Sequence, residues 1–266
     1  MNQNPTISVI IPLYNAAKTI VQSLKSVLNQ HYSKIEIIIV NDGSTDNSKE
    51  IVEDFILREN LQEKILLIDK INGGVSSARN LGIKRSTGEL IALLDSDDVW
   101  LPGKLHAQVA ALKKYGVDFV GTLHNNQSLA FPYKLEHDIY KVTLKKMLIK
   151  MAPSTITSLF KRELIQKAGF YDEKQKYSED ANLWMRFAKN GKMIILNQNF
   201  AIAGGGKPLF GHSGLSGNLK GMYLGELKNL NDILRLKYIN ILLYILFATY
   251  VTFKYWRRQL IVKMRR

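Results

Sequence analysis

Apolar positions in the first hundred residues come in short, nearly unbroken runs. "ISVIIPLY" (7–14), "IEIIIV" (35–40), "KILLID" (64–69) and "ELIALLD" (89–95) are all rich in aliphatic side chains. Runs of this length without strict alternation predict parallel strands covered on both faces. The intervening stretches, at about 17–29, 46–58 and 75–86, have helical character. Strands alternating with helices predict an α/β fold: an open, mostly parallel sheet flanked by helices. Ligands of such sheets bind beyond the carboxyl ends of the strands. The polar clusters lie there: "YN" after the first run, "NDGSTD" after the second, "KINGG" after the third and "DSDD" at the end of the fourth.

Beyond residue 117 the pattern loosens. "VDFVGTL" reads as a further strand, and "SLAFPYKLEHDIY" with Pro132 reads as edge hairpin or loop. "LKKMLIK" and "KRELIQKAGF" read as short helices. "SEDANLWMRFAKNG" carries helix-start polar residues and a stop glycine, Gly191. "AGGGKPLFGHSGLSG" (203–217) is a glycine-rich loop suited to closing over a ligand and excluding water. An ordinary surface loop is the plainer reading. The chain divides into a catalytic domain, 1–219, and a C-terminal helical tail, 220–266.

Composition changes the picture in two ways. The 266 residues include no cysteine, which excludes disulfides and thiolate metal sites and suits a reducing compartment. No basic segment followed by a long apolar stretch opens the chain, so no signal peptide is read. The formal net charge of +14 points to an anionic partner. Much of that excess flanks "YINILLYILFATYVTF" (238–253): Arg235, Lys237, Lys254, Arg257, Arg258, Lys263, Arg265 and Arg266. Basic flanks around an apolar, aromatic centre predict a helix lying on an anionic membrane surface. A helix packed on its own domain, with a solvated basic face, is the plainer alternative. The centre is short for a span of about 20 residues.

Three aspartates, Asp95, Asp97 and Asp98, crowd the end of the fourth run. Hard divalent cations prefer carboxylate oxygens and leave positions open for phosphates. A helix cap explains one such aspartate, or two, but not three after an apolar strand. In "VNDGSTDNS" the turn and cap reading serves residues 43–46. Asp42, at the strand end, is instead placed to accept a hydrogen bond from a nucleobase. No G-x-G-x-x-G follows the early strands, and "GGGKPL" lacks P-loop spacing, which argues against NAD and ATP.

Taken together, "SVIIPLYN", "IIIVNDGSTDNS", "GGVSSARNLGIKRSTGELIALLDSDD" and "SEDANLWMRF" resemble, in order and spacing, family 2 glycosyltransferases of the GT-A fold over about residues 7–190. The resemblance implies transfer of a sugar from a nucleotide diphosphate sugar, with inversion and with Mn²⁺ or Mg²⁺. It implies that Pro12, Tyr14 and Asn15 lie in the first nucleotide-contacting loop and that Asp42 binds the base. Asn72 and Arg79 would line the nucleotide and diphosphate, with Asp95 and Ser96 near the ribose and donor sugar. Asp97 would be the metal ligand, with Asp98 a helper, and Lys207 and His212 would reach the diphosphate or its metal from the glycine-rich loop. Asp180 of the "ED" pair would be the catalytic base, beside Glu179; its plainer reading is a helix cap.

Processive synthases of the family carry a Q-x-x-R-W signature, which "NLWMRFA" is not. The resemblance thus implies transfer of one sugar from a UDP-sugar to a lipid-diphosphate-linked saccharide, in bacterial O-antigen, capsule or related glycan synthesis. Peripheral or monotopic attachment to the cytoplasmic face of the plasma membrane goes with it. A sugar nucleotidyltransferase would show a glycine-rich basic signature after the first strand, and "PLYNAAKT" lacks it. A catalytically inactive binding module would have no need of the intact Asp42, Asp95, Asp97 and Asp180. Nucleic acid is not an expected partner, because the basic residues cluster with the apolar tail.

Overall fold

The computed structural model describes residues 4–204 and 215–264. The first apolar run forms strand β1 (Ile7–Leu13), buried throughout. Helix α1 (Ile20–Leu28) follows, turning Ile20, Leu24 and Val27 inward. Then come β2 (Ile35–Asp42), α2 (Ser48–Arg58), β3 (Ile65–Lys70), α3 (Val75–Arg85) and β4 (Leu90–Leu93). The four strands are parallel, in the order β3-β2-β1-β4.

β1 pairs with β2 as far as Leu13↔Asn41, but with β4 only as far as Ile10↔Leu93. Leu94 N–H still donates to the Ile10 carbonyl. The backbone of Pro12, two residues on, therefore faces the side where β4 has ended, and no ladder bond is lost to its missing N–H. The turn leaving β2 requires a glycine. Gly43 has φ +69°, and a Cβ there would lie 2.8 Å from the Asn72 nitrogen.

The second half of the chain extends the sheet as β4-β9-β6-β10-β8-β7. Its elements are β5 (Val99–Trp100), α4 (Lys104–Tyr115), β6 (Phe119–His124), β7 (Leu135–Glu136), β8 (Ile139–Val142), α5 (Leu144–Ile149), β9 (Leu159–Lys161), α6 (Arg162–Ala168), α7 (Glu179–Asn190), β10 (Met193–Ile202), α8 (Leu219–Arg235) and α9 (Ile241–Met264). β9 lies antiparallel between β4 and β6. β10 runs parallel to β6 through two register shifts and antiparallel to both β5 and β8.

Alternation along the central strands divides the core between two faces. Val9, Ile11, Ile37 and Ile39 pack with Leu24 of α1, Phe55 of α2 and Leu105 of α4. Ile10, Ile38 and Val40 face the other way, in a cluster with Ile83 of α3, Leu183 of α7 and Ile233 of α8. Each such aliphatic side chain contributes about 1.5–3 kcal/mol by leaving water. α7 is fixed by aromatic contacts: Trp184 lies 5.1 Å from Phe119 and Phe187 lies 5.0 Å from Phe160, between ring centres. Those contacts set where the first turn of α7 emerges.

Candidate active site

The carboxyl ends of β1 to β4 and the start of α7 form one polar rim. After β1, Tyr14 is half exposed and Asn15 adopts a left-handed backbone. Asn15 N–H donates to Ser44 Oγ (3.1 Å), and Asn15 Oδ1 accepts from Thr45 N–H (2.8 Å). Asn15 thereby ties the first loop to the turn after β2. In that turn Asp46 accepts the backbone N–H groups of Ser48 and Ala17, so the turn reading holds there, but the N-cap of α2 is Asn47, which makes no side-chain cap bond.

Asp42 is buried at the end of β2. Its carboxylate accepts Lys70 Nζ (2.5 Å) and the N–H groups of Gly73 (2.9 Å) and Gly74 (2.8 Å). Asn72 Nδ2 donates to the Asp42 carbonyl at 2.8 Å. The 71–74 loop is thus folded onto the aspartate. Beside it opens a cavity of about 500 Å³ lined by Asn41, Ser44, Asp46, Lys49, Lys70 and Ile71, among others.

The acidic turn after β4 places its three carboxylates in different surroundings: Asp95 is half-buried, Asp97 exposed and Asp98 buried. Asp98 N–H donates to the Asp95 carbonyl, and Ser23 Oγ of α1 donates to the Ser96 carbonyl at 3.0 Å. Asp98 Oδ1 accepts the Gly204 N–H at 2.6 Å, joining this turn to the end of β10. Burial first, and the charge of Asp95 next, push the Asp98 carboxyl up to about 8. The helix-cap reading fails here, because β5 follows the turn and the N-cap of α4 is Gly103.

Arg79 links this turn to α7. It is buried and donates from Nη2 to Asp95 Oδ1 (2.7 Å) and from Nη1 to Glu179 Oε1 (3.0 Å). Burial alone would weaken its charge; Asp95, Tyr171 and Glu179 together drive its pKa up. Glu179 is pushed up to about 7, by burial first and Asp180 second. Asp180 is half-buried and accepts Thr155 Oγ1 (3.1 Å) and Ala181 N–H (2.7 Å). Ser178, the N-cap of α7, makes no side-chain cap bond.

Asp95, Asp98, Arg79, Glu179 and Asp180 are therefore one connected group, with Asp97 and Ser96 in the same turn. Asp42, Asn72, Tyr14 and Asn15 gather around the ends of β1 and β2. Pro12 lies inside β1. Lys207 and His212, and with them the glycine-rich lid, fall outside the described residues. Several partners carry no signature of their own in the sequence. Lys70 sits in the quoted "KINGG" cluster, yet nothing there points to Asp42. Thr155 lies in a stretch without periodicity, 25 residues from Asp180. The Arg79–Glu179 pair spans 100 residues.

Comparison with known proteins decides the family. The family described as Glycosyl transferase family 2 matches residues 8–169. The chain belongs to glycosyl transferase family 2. An uncharacterized glycosyltransferase of Rickettsia prowazekii (strain Madrid E) is 36% identical over 207 residues, covering 70% of this chain and 61% of that protein. The chain thus spans about three-fifths of the length of that relative. An Escherichia coli relative, the UDP-Glc:alpha-D-GlcNAc-diphosphoundecaprenol beta-1,3-glucosyltransferase WfgD, is 31% identical over 198 residues, covering 73% of this chain and 74% of its own.

Among solved structures, S. aureus TarS 1–349 in complex with UDP-GlcNAc superposes with a TM-score of 0.68 at 23% identity, over 86% of this chain and 66% of that one. The mannosyltransferase PcManGT from Pyrobaculum calidifontis, in complex with GDP-Man and Mn²⁺, gives 0.69 at 20% identity, over 88% and 65%. These likenesses establish the GT-A fold for this family member.

The acidic turn fits a hard divalent cation in its chemistry. Its donors are carboxylate oxygens, the ligand type such cations prefer. Among the described residues, no three His, Asp or Glu groups are assembled into a ligand set. A cation here would therefore take one or two carboxylates and complete its shell with other oxygens, as Mg²⁺ and Mn²⁺ do on diphosphates.

Proposed function

We propose that the protein is an inverting glycosyltransferase. It moves one hexose or N-acetylhexosamine from a nucleotide diphosphate sugar, a UDP-sugar, to a hydroxyl of a lipid-diphosphate-linked saccharide in surface-glycan synthesis. The observation that carries the reading is the Arg79 bridge, which brings the donor-side carboxylate Asp95 and the acceptor-side pair Glu179–Asp180 into one group. The relative whose name specifies a UDP-glucose donor and a diphosphoundecaprenol acceptor supports the substrate class.

In this reading Asp42 and the loops holding Tyr14, Asn15 and Asn72 bind the nucleoside. Asp95 and Ser96 lie against the ribose and donor sugar. Asp97, helped by Asp98, would hold Mn²⁺ or Mg²⁺, whose charge neutralises the leaving diphosphate when bound. Asp180 accepts the proton of the acceptor hydroxyl as its oxygen forms a bond to the anomeric carbon. The bond from that carbon to the diphosphate oxygen breaks on the opposite face, and the nucleoside diphosphate leaves with the electron pair. Thr155 and Ala181 N–H orient the Asp180 carboxylate for that task.

The 220–266 segment is read as the membrane attachment, on the cytoplasmic face. The test is a donor screen with purified protein, Mn²⁺ and a synthetic lipid-diphosphate sugar. Transfer from one UDP-sugar, with an inverted anomeric centre by NMR, is expected. Transfer with retention, or nucleotide–sugar synthesis from a sugar phosphate, would overturn the reading.

A further inference from the structure

Ser178, immediately before the Glu179–Asp180 pair, has φ 55° and ψ 30°. A left-handed backbone is costly for a residue with a Cβ and persists only where the surroundings impose it. The Ser178 side chain contributes no cap bond. The Ser178 carbonyl accepts the Asn182 N–H of α7 at 3.2 Å, and a further constraint comes from α8, more than fifty positions later in the chain. Asn229 Nδ2 donates to the Ser178 carbonyl at 2.9 Å, and Gln175 Nε2 donates to the same oxygen at 3.2 Å. Asn229 Oδ1 in turn accepts from Gln175 Nε2 (2.7 Å) and Asn182 Nδ2 (3.1 Å).

Asn229, Gln175, Ser178 and Asn182 are all buried. The amides of Asn229, Gln175 and Asn182 all have partners, and the network continues to Lys228 and Asp232, which favours one arrangement of these buried groups. Backbone packing adds to it. A Cβ on Gly225 of α8 would lie 2.3 Å from the Tyr177 carbonyl oxygen, so α8 is seated directly against the peptide that leads into Ser178.

We infer that Asn229 is a positioning residue for the catalytic carboxylates: it locks the left-handed Ser178 and so aims Glu179 and Asp180 at the acceptor. α8 then belongs to the catalytic machinery as well as to the C-terminal segment. The inference rests on Asp180 being the base.

The test measures transfer kinetics and UDP affinity for wild type, Asn229→Ala, Ser178→Gly/Asn229→Ala and Asp180→Asn. Misplacement of a reacting group by about 1 Å costs on the order of 100-fold. Asn229→Ala is expected to lose about 10- to 100-fold in kcat while UDP affinity by calorimetry stays within about twofold. Ser178→Gly should restore part of that loss, because glycine takes the left-handed conformation without the steric cost. If Asn229→Ala does not fold, Asn229→Asp keeps the acceptor for Gln175 and Asn182, removes the donor to Ser178, and is read the same way.

Wild-type kcat in the Asn229 variants, or a fall in UDP affinity parallel to kcat with no rescue by glycine, overturns the positioning role. If Asp180→Asn is inactive while the Asn229 variants are normal, only the positioning role falls. If Asp180→Asn keeps wild-type turnover, the assignment of the base falls, and this inference with it.

Discussion

Asp97 and Asp98 are adjacent in sequence but sit in different media, and that difference sorts their roles. Asp98 is buried, accepts the Gly204 N–H, and is better placed to hold the end of β10 than to meet solvent. Asp97 is exposed in the same turn. Asp97→Asn should therefore leave unfolding within about 0.5 kcal/mol of wild type. Transfer should fall by about 100-fold or more if its charge faces the diphosphate through a cation. EDTA should silence the wild type, with Mn²⁺ or Mg²⁺ restoring it; full turnover in excess chelator would sink the cation's role. Asp180→Asn separates chemistry from binding. Turnover should collapse while UDP affinity persists, because the base acts on the acceptor hydroxyl in the transition state. Unchanged turnover would move the search for a base to Glu179. Asp97 and Asp98 were legible in the sequence because a charge cluster at a strand end demands a partner, whereas Asp180 and Glu179, at a helix start, were legible only through the family resemblance. Arg79 was legible only through the family resemblance, as a nucleotide-site residue; its bridge from Asp95 to Glu179, and the whole role of Asn229, were not, since nothing local in "SSARN" or "LKNLND" shows that a guanidinium or an amide will meet residues tens of positions away.

Among the elements, β1, β2 and the entry to β4 are tied at their amino ends by Glu36. Its Oε1 accepts Ser8 Oγ (2.5 Å), Thr87 N–H (2.6 Å), Thr87 Oγ1 (3.0 Å) and Gly88 N–H (2.9 Å). Burial pushes this carboxyl up, but the bonds from Ser8, Thr87 and Gly88 outweigh it and hold the pKa below the usual 4.5. A depressed folded pKa means stability that is fully present above the unfolded value and lost as pH falls through the folded one. Glu36→Ala should thus cost roughly 1–2 kcal/mol at pH 7, allowing for its half-exposed position. Its deficit against wild type should shrink as pH drops below about 4.5. Urea unfolding at pH 7 and pH 3 checks this, and a deficit that grows toward acid would refute it. The pattern that revealed β1 to β4 and their helices, aliphatic runs separated by turn residues, is absent from the strands that were missed. β9 has only three residues, two of them apolar. β10 begins "MIIL" and then runs through "NQN" across its register shifts, so no period of two survives along it.

For the molecule as a whole, α9 raises the question of what its outer face meets. Its inner face is occupied: Val251 is buried, Tyr223 of α8 stacks on Tyr255 at 4.6 Å, and Lys254 and Arg258 both pair with Glu226 of α8. The opposite face carries Leu242, Leu246, Phe253, Trp256 and Leu260, exposed by 73, 59, 66, 62 and 62%. Their spacing of three, four and seven residues makes one apolar band along a helix of about 36 Å. A soluble surface seldom leaves such a band in water. Arg257 and Lys263 are exposed on the same helix, which favours an anionic bilayer as the surface it meets. Among the described residues no helix is long and apolar enough to cross a membrane. An apolar band with basic residues beside it is the pattern of a helix lying in the interfacial plane. Leu246→Gln, Phe253→Ser and Trp256→Gln combined should leave the fold intact, since these side chains point outward, and should cut flotation with anionic liposomes by tenfold or more. Each buried side chain of that size contributes about 1.5–3 kcal/mol, so even partial insertion of three exceeds the 1.4 kcal/mol needed for a factor of ten. Arg257→Glu with Lys263→Glu should weaken binding to anionic vesicles at low salt and leave binding to zwitterionic ones little changed, because salt screens only the charged part. If wild type and the triple variant float equally, the band does not meet lipid. If the charge-reversed protein binds anionic vesicles as well as wild type does, the attraction to anionic headgroups is excluded, leaving apolar insertion alone as the means of attachment.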